Sequence, residues 1–325
     1  MTTPAAAVLA EVTRHDGTRE RVESRHRGQL VVVGDGGVEL GLGDVDHELF
    51  VRSTAKPFQA AACLEVLAEN GAVSPDDLTD AEVAIAWASH RGEGRHLDAV
   101  RRLLARSGTS PEGLTCPTAL PEADKEWPPA SPGEPPSRLR YNCSGKHAMF
   151  ALAGKALGLR GQALLDVDGP LQQRLLAAIE DACGPVAGVG VDGCGAPAVV
   201  LPLRGLAEGY RRLVSEDRWS RVRQAALAHP LLVGGTGRVE SALLAAGVTA
   251  KVGAEGVYAA GWVDHDGPHG VAVKAEDGSD RGGGVALVAV LAARGVVPAD
   301  VWSPPPVTGG DGTVGTVRAA AGLSG

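Results

Sequence analysis

Six lysines stand against twenty-five arginines in this chain of 325 residues, so every position that keeps lysine is an unusual choice. Arginine stays charged at any useful pH, whereas burial and neighbours can neutralise lysine, which makes Lys56, Lys125, Lys146, Lys155, Lys251 and Lys274 worth a chemical reading. Lys56 ends the stretch Arg52-Ser53-Thr54-Ala55-Lys56, with Pro57 next, where an apolar helical pattern begins. Serine is a preferred N-cap and proline fits a first turn, so the helix is expected to start here, with the Ser53 hydroxyl and the Lys56 amine one turn apart. A serine hydroxyl becomes a useful nucleophile when a base takes its proton, which a lysine can do. The tetrad alone is better explained by a capping serine and a solvated lysine.

Three further groups change that balance. Ser89 and His90 follow an apolar run at 83–87, read as a buried strand, and offer a second hydroxyl with an orienting neighbour. A polar helix cap is the alternative, and His90, Glu93 and His96 lack the spacing of a zinc site. Asn142-Cys143-Ser144-Gly145-Lys146-His147 and Asp192-Gly193-Cys194-Gly195 bring two thiols, an amine and an imidazole into turn-forming contexts. They suit a thiolate metal site or a second polar cluster, but Cys-x-x-Lys is not a standard zinc signature and lysine must lose a proton to ligate. Gly234-Gly235-Thr236-Gly237-Arg238 could hold an anion, yet lacks the spacing and lysine of a P-loop. Lys251 opens a late strand with Gly253 two residues on, like the lysine edge strand of serine-lysine acyl-transfer sites. A serine-lysine tetrad, a mid-chain serine and a late strand lysine in this order favour catalysis over capping.

Strands at 7–13, 29–33 and 37–42, with a hairpin turn at Asp35-Gly36-Gly37, should open the fold. Helical spacing is expected from Phe58 to Asn70-Gly71 and over 95–106, 146–157, 169–182, 219–228 and 283–293, with strands returning at 248–260 and 270–275. That order predicts an α+β protein in which N- and C-terminal strands share an antiparallel sheet packed with a helical region. The Pro-rich stretch 128–136 reads as a loop. Residues 1–325 read as one domain, with a loosely ordered tail from about 303.

The balance of 31 basic and 39 acidic residues, a formal charge of -8, disfavours a nucleic-acid partner, and 3% aromatics leave few stacking platforms. No apolar run approaches the length of a membrane span, and no signal peptide is read at the N-terminus. Five cysteines in a chain this long point to a reducing compartment, so a cytoplasmic location is expected.

Taken together, Arg-Ser-x-x-Lys-Pro, Ala-Ser-His, Asn-Cys-Ser-Gly-Lys-His, Asp-Gly-Cys and Lys-x-Gly-Ala resemble the asparaginase II family, the L-asparaginases first known from rhizobia. The resemblance implies a fold similar to serine β-lactamases and glutaminases. It implies two serine-lysine pairs, Ser53 with Lys56 and Ser89 with Lys251, with Asp192 in the same site, and a zinc ion held by Cys143, Lys146 and Cys194. Met149 stands where the family often has a small residue. The expected activity is hydrolysis of L-asparagine to aspartate and ammonia by a homodimer. Asp192 would hold the substrate amine, and Arg238, with Arg52 and His90, would complete substrate binding. The competing reading is a zinc- or ligand-binding protein on the same scaffold, with structural serines.

Overall fold

A computed structural model of the chain describes residues 5–71, 73–120 and 135–323. From the N-terminus run β1 (Ala7–His15), β2 (Glu20–Gly34), β3 (Gly37–Leu42) and β4 (Glu48–Phe50). A helical turn over Arg52–Ala55 leads into α1 (Lys56–Asn70), α2 (Asp80–Ala86), α3 (Gly94–Ser107), α4 (Ser144–Ala156) and α5 (Pro170–Cys183). The hairpin of β5 (Gly188–Val191) and β6 (Pro197–Pro202) precedes α6 (Leu203–Ser215), α7 (Ser220–Ala228), α8 (Pro230–Val233) and α9 (Val239–Ala245). Then come β7 (Thr249–Gly253), β8 (Val257–Asp264), β9 (Gly267–Ala275) and α10 (Asp280–Ala293). Three short strands follow, β10 (Val307–Gly309), β11 (Gly312–Gly315) and β12 (Val317–Ala319).

These elements form two compact units, one of Met1–Thr54, Leu201–Ser215 and Ala242–Gly325, the other of Ala55–Val200 and Glu216–Ser241. The first is built on an antiparallel sheet of order β12-β1-β2-β9-β8-β7, with β3 added to β2. N- and C-terminal strands therefore share one sheet, as the α+β pattern predicts. Its centre, Leu30 to Val33, is buried as a continuous apolar run because both faces are covered. On β8 and β9, Gly261 and Gly270 meet α6, while Tyr258, on the opposite face by the two-residue alternation, meets α10. The second unit is helical. Its helix α4 is buried from Ser144 to Gly154 and α1 from Lys56 to Leu64, so both are core helices with no wet face over those spans.

Four local expectations are corrected. The apolar run at 83–87 belongs to helix α2 and not to a strand: Thr79 caps it and exchanges hydrogen bonds with Glu82, a capping box that a short apolar run does not announce by periodicity. Ser53 lies inside the turn that precedes α1, whose N-cap is Ala55. The expected strand 248–260 is two strands, broken at Glu255 and Gly256, both at positive φ. Residues 307–319, expected to be loosely ordered, form β10 to β12, because Val307 and Val317 pack with Ala10, Val12 and Val285. Most of the Pro-rich stretch, 128–134, lies outside the described residues. Among the described residues no helix is long and apolar enough to cross a membrane.

Candidate active site

Within the helical unit, Lys56 opens α1 and is 1% exposed. Its ammonium donates to Ser89 Oγ at 3.0 Å and to the Ala88 carbonyl. Ser89 sits just beyond α2, where its N–H donates to the Val233 carbonyl at 2.8 Å. The next residue, His90, is buried, with Gly92 N–H donating to Nδ1 at 3.1 Å and Nε2 2.9 Å from Ser144 Oγ. Since the Ser144 hydroxyl donates to the Leu139 carbonyl at 2.8 Å, it accepts from His90, which fixes the proton on Nε2. Both ring nitrogens of His90 are thus engaged in hydrogen bonds.

The second cluster gathers at the start of α4. A Cβ on Gly145 would lie 2.0 Å from the Ile85 carbonyl oxygen, so only glycine lets this turn press on the end of α2. Cys143 precedes that turn, and Lys146 follows it with its amine 3.0 Å from Cys194 Sγ. Cys194 lies in the turn between β5 and β6, where Asp192 Oδ1 accepts from Gly193 N–H at 2.8 Å and Oδ2 faces the Cys194 thiol at 3.5 Å. Cys143, Lys146 and Cys194 are all buried. A hydrogen bond with Cys194 outweighs the effect of burial and, with the charges of Lys56 and Lys146, holds the Cys143 thiol well below its usual range. The same hydrogen bond, together with burial, pushes Cys194 up. Burial works against the Lys146 ammonium, but the Cys194 and Cys143 sulfurs outweigh it and raise its pKa.

Two sulfurs and an amine that together attract positive charge this strongly are a suitable donor set for a soft divalent cation, which would take the place of the lysine proton. Among the described residues, a cluster of three His, Cys, Asp or Glu side chains close enough to share a cation occurs at Asp264, His265 and Asp266, all exposed. No disulfide joins any of the five cysteines.

The remaining candidates are divided between the units. Arg52, Ser53 and Lys251 belong to the sheet unit. Arg52 has φ 52, a left-handed conformation that costs a non-glycine residue about 1 kcal/mol or more and is held immediately before Ser53. Lys251 is fully buried on β7, with its amine 2.8 Å from the Val252 carbonyl. Arg238 belongs to the helical unit, in the loop between α8 and α9, with its Nε buried. Ser53 is the serine one turn from Lys56 in sequence, whereas the serine hydrogen-bonded to Lys56 is Ser89.

The sequence gives no role to Ser144 or Tyr141, and weighs Glu93 only as a metal ligand. Ser144 receives the His90 proton and was hidden inside a motif whose thiols and amine drew attention. Burial, then the neighbouring Cys143, Cys194 and Asp192, push the half-buried Tyr141 phenol up to about 12. Glu93 accepts the Thr236 N–H at 2.8 Å across 143 residues of sequence, a contact that no local pattern encodes.

A family model described as L-asparaginase II matches residues 10–319. No curated protein matches the chain. Among solved structures, a β-lactamase from Mycobacterium bovis aligns over 78% of this chain and 88% of its own, at 18% identity and a TM-score of 0.34.

Proposed function

The chain belongs to the L-asparaginase II family, and we propose that it is an L-asparagine amidohydrolase working through a serine-lysine pair. The observation that carries this reading is the buried Lys56 amine within proton-transfer distance of the Ser89 hydroxyl, 3.0 Å. After giving up one of its own protons, Lys56 takes the proton of the serine as Oγ attacks the side-chain amide carbon. It returns that proton to the leaving ammonia, and water then repeats the attack on the acyl-enzyme. Ser53 and Lys251 are the other serine and lysine that the family resemblance implies. Ser53→Ala and Ser89→Ala assign the nucleophile, since only removal of the attacking hydroxyl abolishes the aspartyl adduct trapped from acid-quenched enzyme.

Asp192, fastened by the Gly193 N–H and half-buried, suits the substrate ammonium, and Arg238 of the same unit offers a guanidinium fork for its carboxylate. Zinc would be held by Cys143, Lys146 and Cys194, where it supplies Lewis-acid charge beside Asp192. The test is ammonia release from L-asparagine before and after treatment with a chelator. Succinamic acid, which keeps the amide and carboxylate but lacks the amine, should have a kcat/KM lower by roughly a hundredfold or more, because the charge-assisted pair of the substrate amine with Asp192 is then not made. Equal values would remove Asp192 from its role, and no ammonia from asparagine would leave a zinc- or ligand-binding protein.

A further inference from the structure

The loop from Gly234 to Arg238 is secured in two ways. From its flanking helices, Ser241 Oγ accepts the Gly235 N–H at 3.1 Å and donates to the Pro230 carbonyl at 3.0 Å. From outside, its midpoint Thr236 is gripped by one short segment: its N–H donates to Glu93 Oε1 at 2.8 Å, and its carbonyl accepts from Arg91 Nη1 at 3.1 Å. The other Glu93 oxygen pairs with Arg95 Nε at 3.0 Å. The approach is close enough that a Cβ on Gly235 would stand 2.9 Å from Glu93 Oε1, and the φ of 113 at that residue also calls for glycine. Burial opposes ionisation of Glu93, but the Thr236 hydrogen bonds together with the neighbouring His96 and Arg95 outweigh it and keep the carboxyl below its usual range.

The gripping segment begins at Ser89, whose N–H holds the Val233 carbonyl just ahead of the same loop. Five residues, 89–93, therefore carry the hydroxyl bound to Lys56 at one end and the anchor of the Arg238 loop at the other. We propose that Glu93 is a positioning residue for substrate recognition, setting through Thr236 the place at which Arg238 meets the substrate α-carboxylate. This rests on the reading of Arg238 and Ser89 given above. Catalysis demands that the attacked amide and the recognised carboxylate be in register, and a misplacement of about an ångström costs on the order of a hundredfold in rate.

Glu93 is also the N-cap residue of α3, and its N–H donates to His96 Nδ1 at 3.0 Å, so a capping role has to be separated from the loop role. Two substitutions do this. Glu93→Asp supplies a better capping residue whose carboxylate is one methylene too short for Thr236. Glu93→Gln keeps an oxygen at full reach. The expected result is a KM for asparagine raised about tenfold or more in Glu93→Asp, with kcat within about threefold of wild type, and a near-normal KM in Glu93→Gln. L-Aspartic diamide, which has no α-carboxylate, should be hydrolysed equally by Glu93→Asp and wild type. Hydrogen exchange at 234–238 should quicken in Glu93→Asp alone. Wild-type KM and exchange in Glu93→Asp, or an equal loss on asparagine and the diamide, would overturn the proposal. A wild-type protein that releases no ammonia from asparagine overturns the functional reading instead, and the exchange comparison, which needs no substrate, still decides whether Glu93 holds the loop.

Discussion

Buried polarity is distributed very differently in the two units. In the sheet unit the strand centres Leu9, Ala10, Leu30 to Val33 and Val271 to Val273 are apolar, and among the described residues its buried polar side chains are Thr13, His26, Gln29, Thr54, Thr249, Lys251 and His269. In the helical unit Lys56, His90, His96, Cys143, Ser144, Lys146, His147 and Cys194 are all buried. Removing a charge from water costs several kcal/mol that its partners only partly return, so replacing such groups by apolar ones is often neutral or stabilising. An apolar sheet is what selection for stability alone produces. A polar interior of this density is the mark of chemistry, maintained at the expense of stability.

The largest effect is expected at Lys56. Lys56→Met should lower kcat/KM by about a hundredfold to ten-thousandfold, the range that general-base groups supply, while the thermal midpoint stays level or rises. A variant that lost its fold together with its activity would make the polar interior structural. The opposite pattern is expected in the sheet: Leu30→Ala should cost about 2–5 kcal/mol in denaturant unfolding and leave turnover per folded molecule unchanged. Next in size comes the metal. Zinc measured by elemental analysis in freshly purified, reduced protein should be near one per chain and fall in Cys194→Ser, because one thiolate of the donor set is lost. No zinc in the wild-type protein would remove the metal reading.

The difference between the units also explains which parts of the molecule were legible. The helices from α3 to α5, and the hairpin at Asp35-Gly36-Gly37, follow from periodicity and turn chemistry, which act within a few residues. Strand β2 begins at Glu20, well before the apolar run that announced it, because residues 20–25 are exposed or half-exposed and carry no apolar alternation. The amphipathic helix α6 and the hairpin β5–β6 went unread, the latter because Gly188–Val191 has neither length nor a buried face. The site shows the same division. Residue type and motif single out Lys56, Ser89, Cys143, Lys146, Cys194 and Asp192, but not the hydrogen bond from Lys56 to Ser89, which spans 33 positions. Supports such as Ser144 and Glu93 are ordinary residues given their role by tertiary neighbours.

The smallest effect concerns acid, and it sets one buried carboxylate against those of the sheet unit. Glu82 is 2% exposed and serves α2 twice, accepting from Thr79 N–H at 2.8 Å and pairing with Arg106. Burial opposes its ionisation, but the Arg106 hydrogen bond, followed by those of Thr79, outweighs it, and the pKa lies below the usual glutamate value. A folded-state pKa below the unfolded one means that the carboxylate contributes stability above the unfolded value, about 4.3, and that this contribution fades as pH falls through the folded value. Glu82→Gln, which leaves a buried site imperfectly paired, should therefore cost about 1–3 kcal/mol near neutrality. The gap from wild type should begin to narrow as pH falls past the unfolded value, about 4.3, and close only below the lower folded value, where Glu82 is itself protonated. Asp277, at a turn of the sheet unit, is also held low: burial opposes this, but the Ser279 N–H and then His26 outweigh it. Being largely exposed to solvent screening, Asp277→Asn should shift stability by less than Glu82→Gln at every pH. Thermal midpoints of both variants and wild type between pH 3 and pH 7 decide the matter: a Glu82→Gln deficit that persists unchanged to the acid end would show that the loss is one of shape and not of charge.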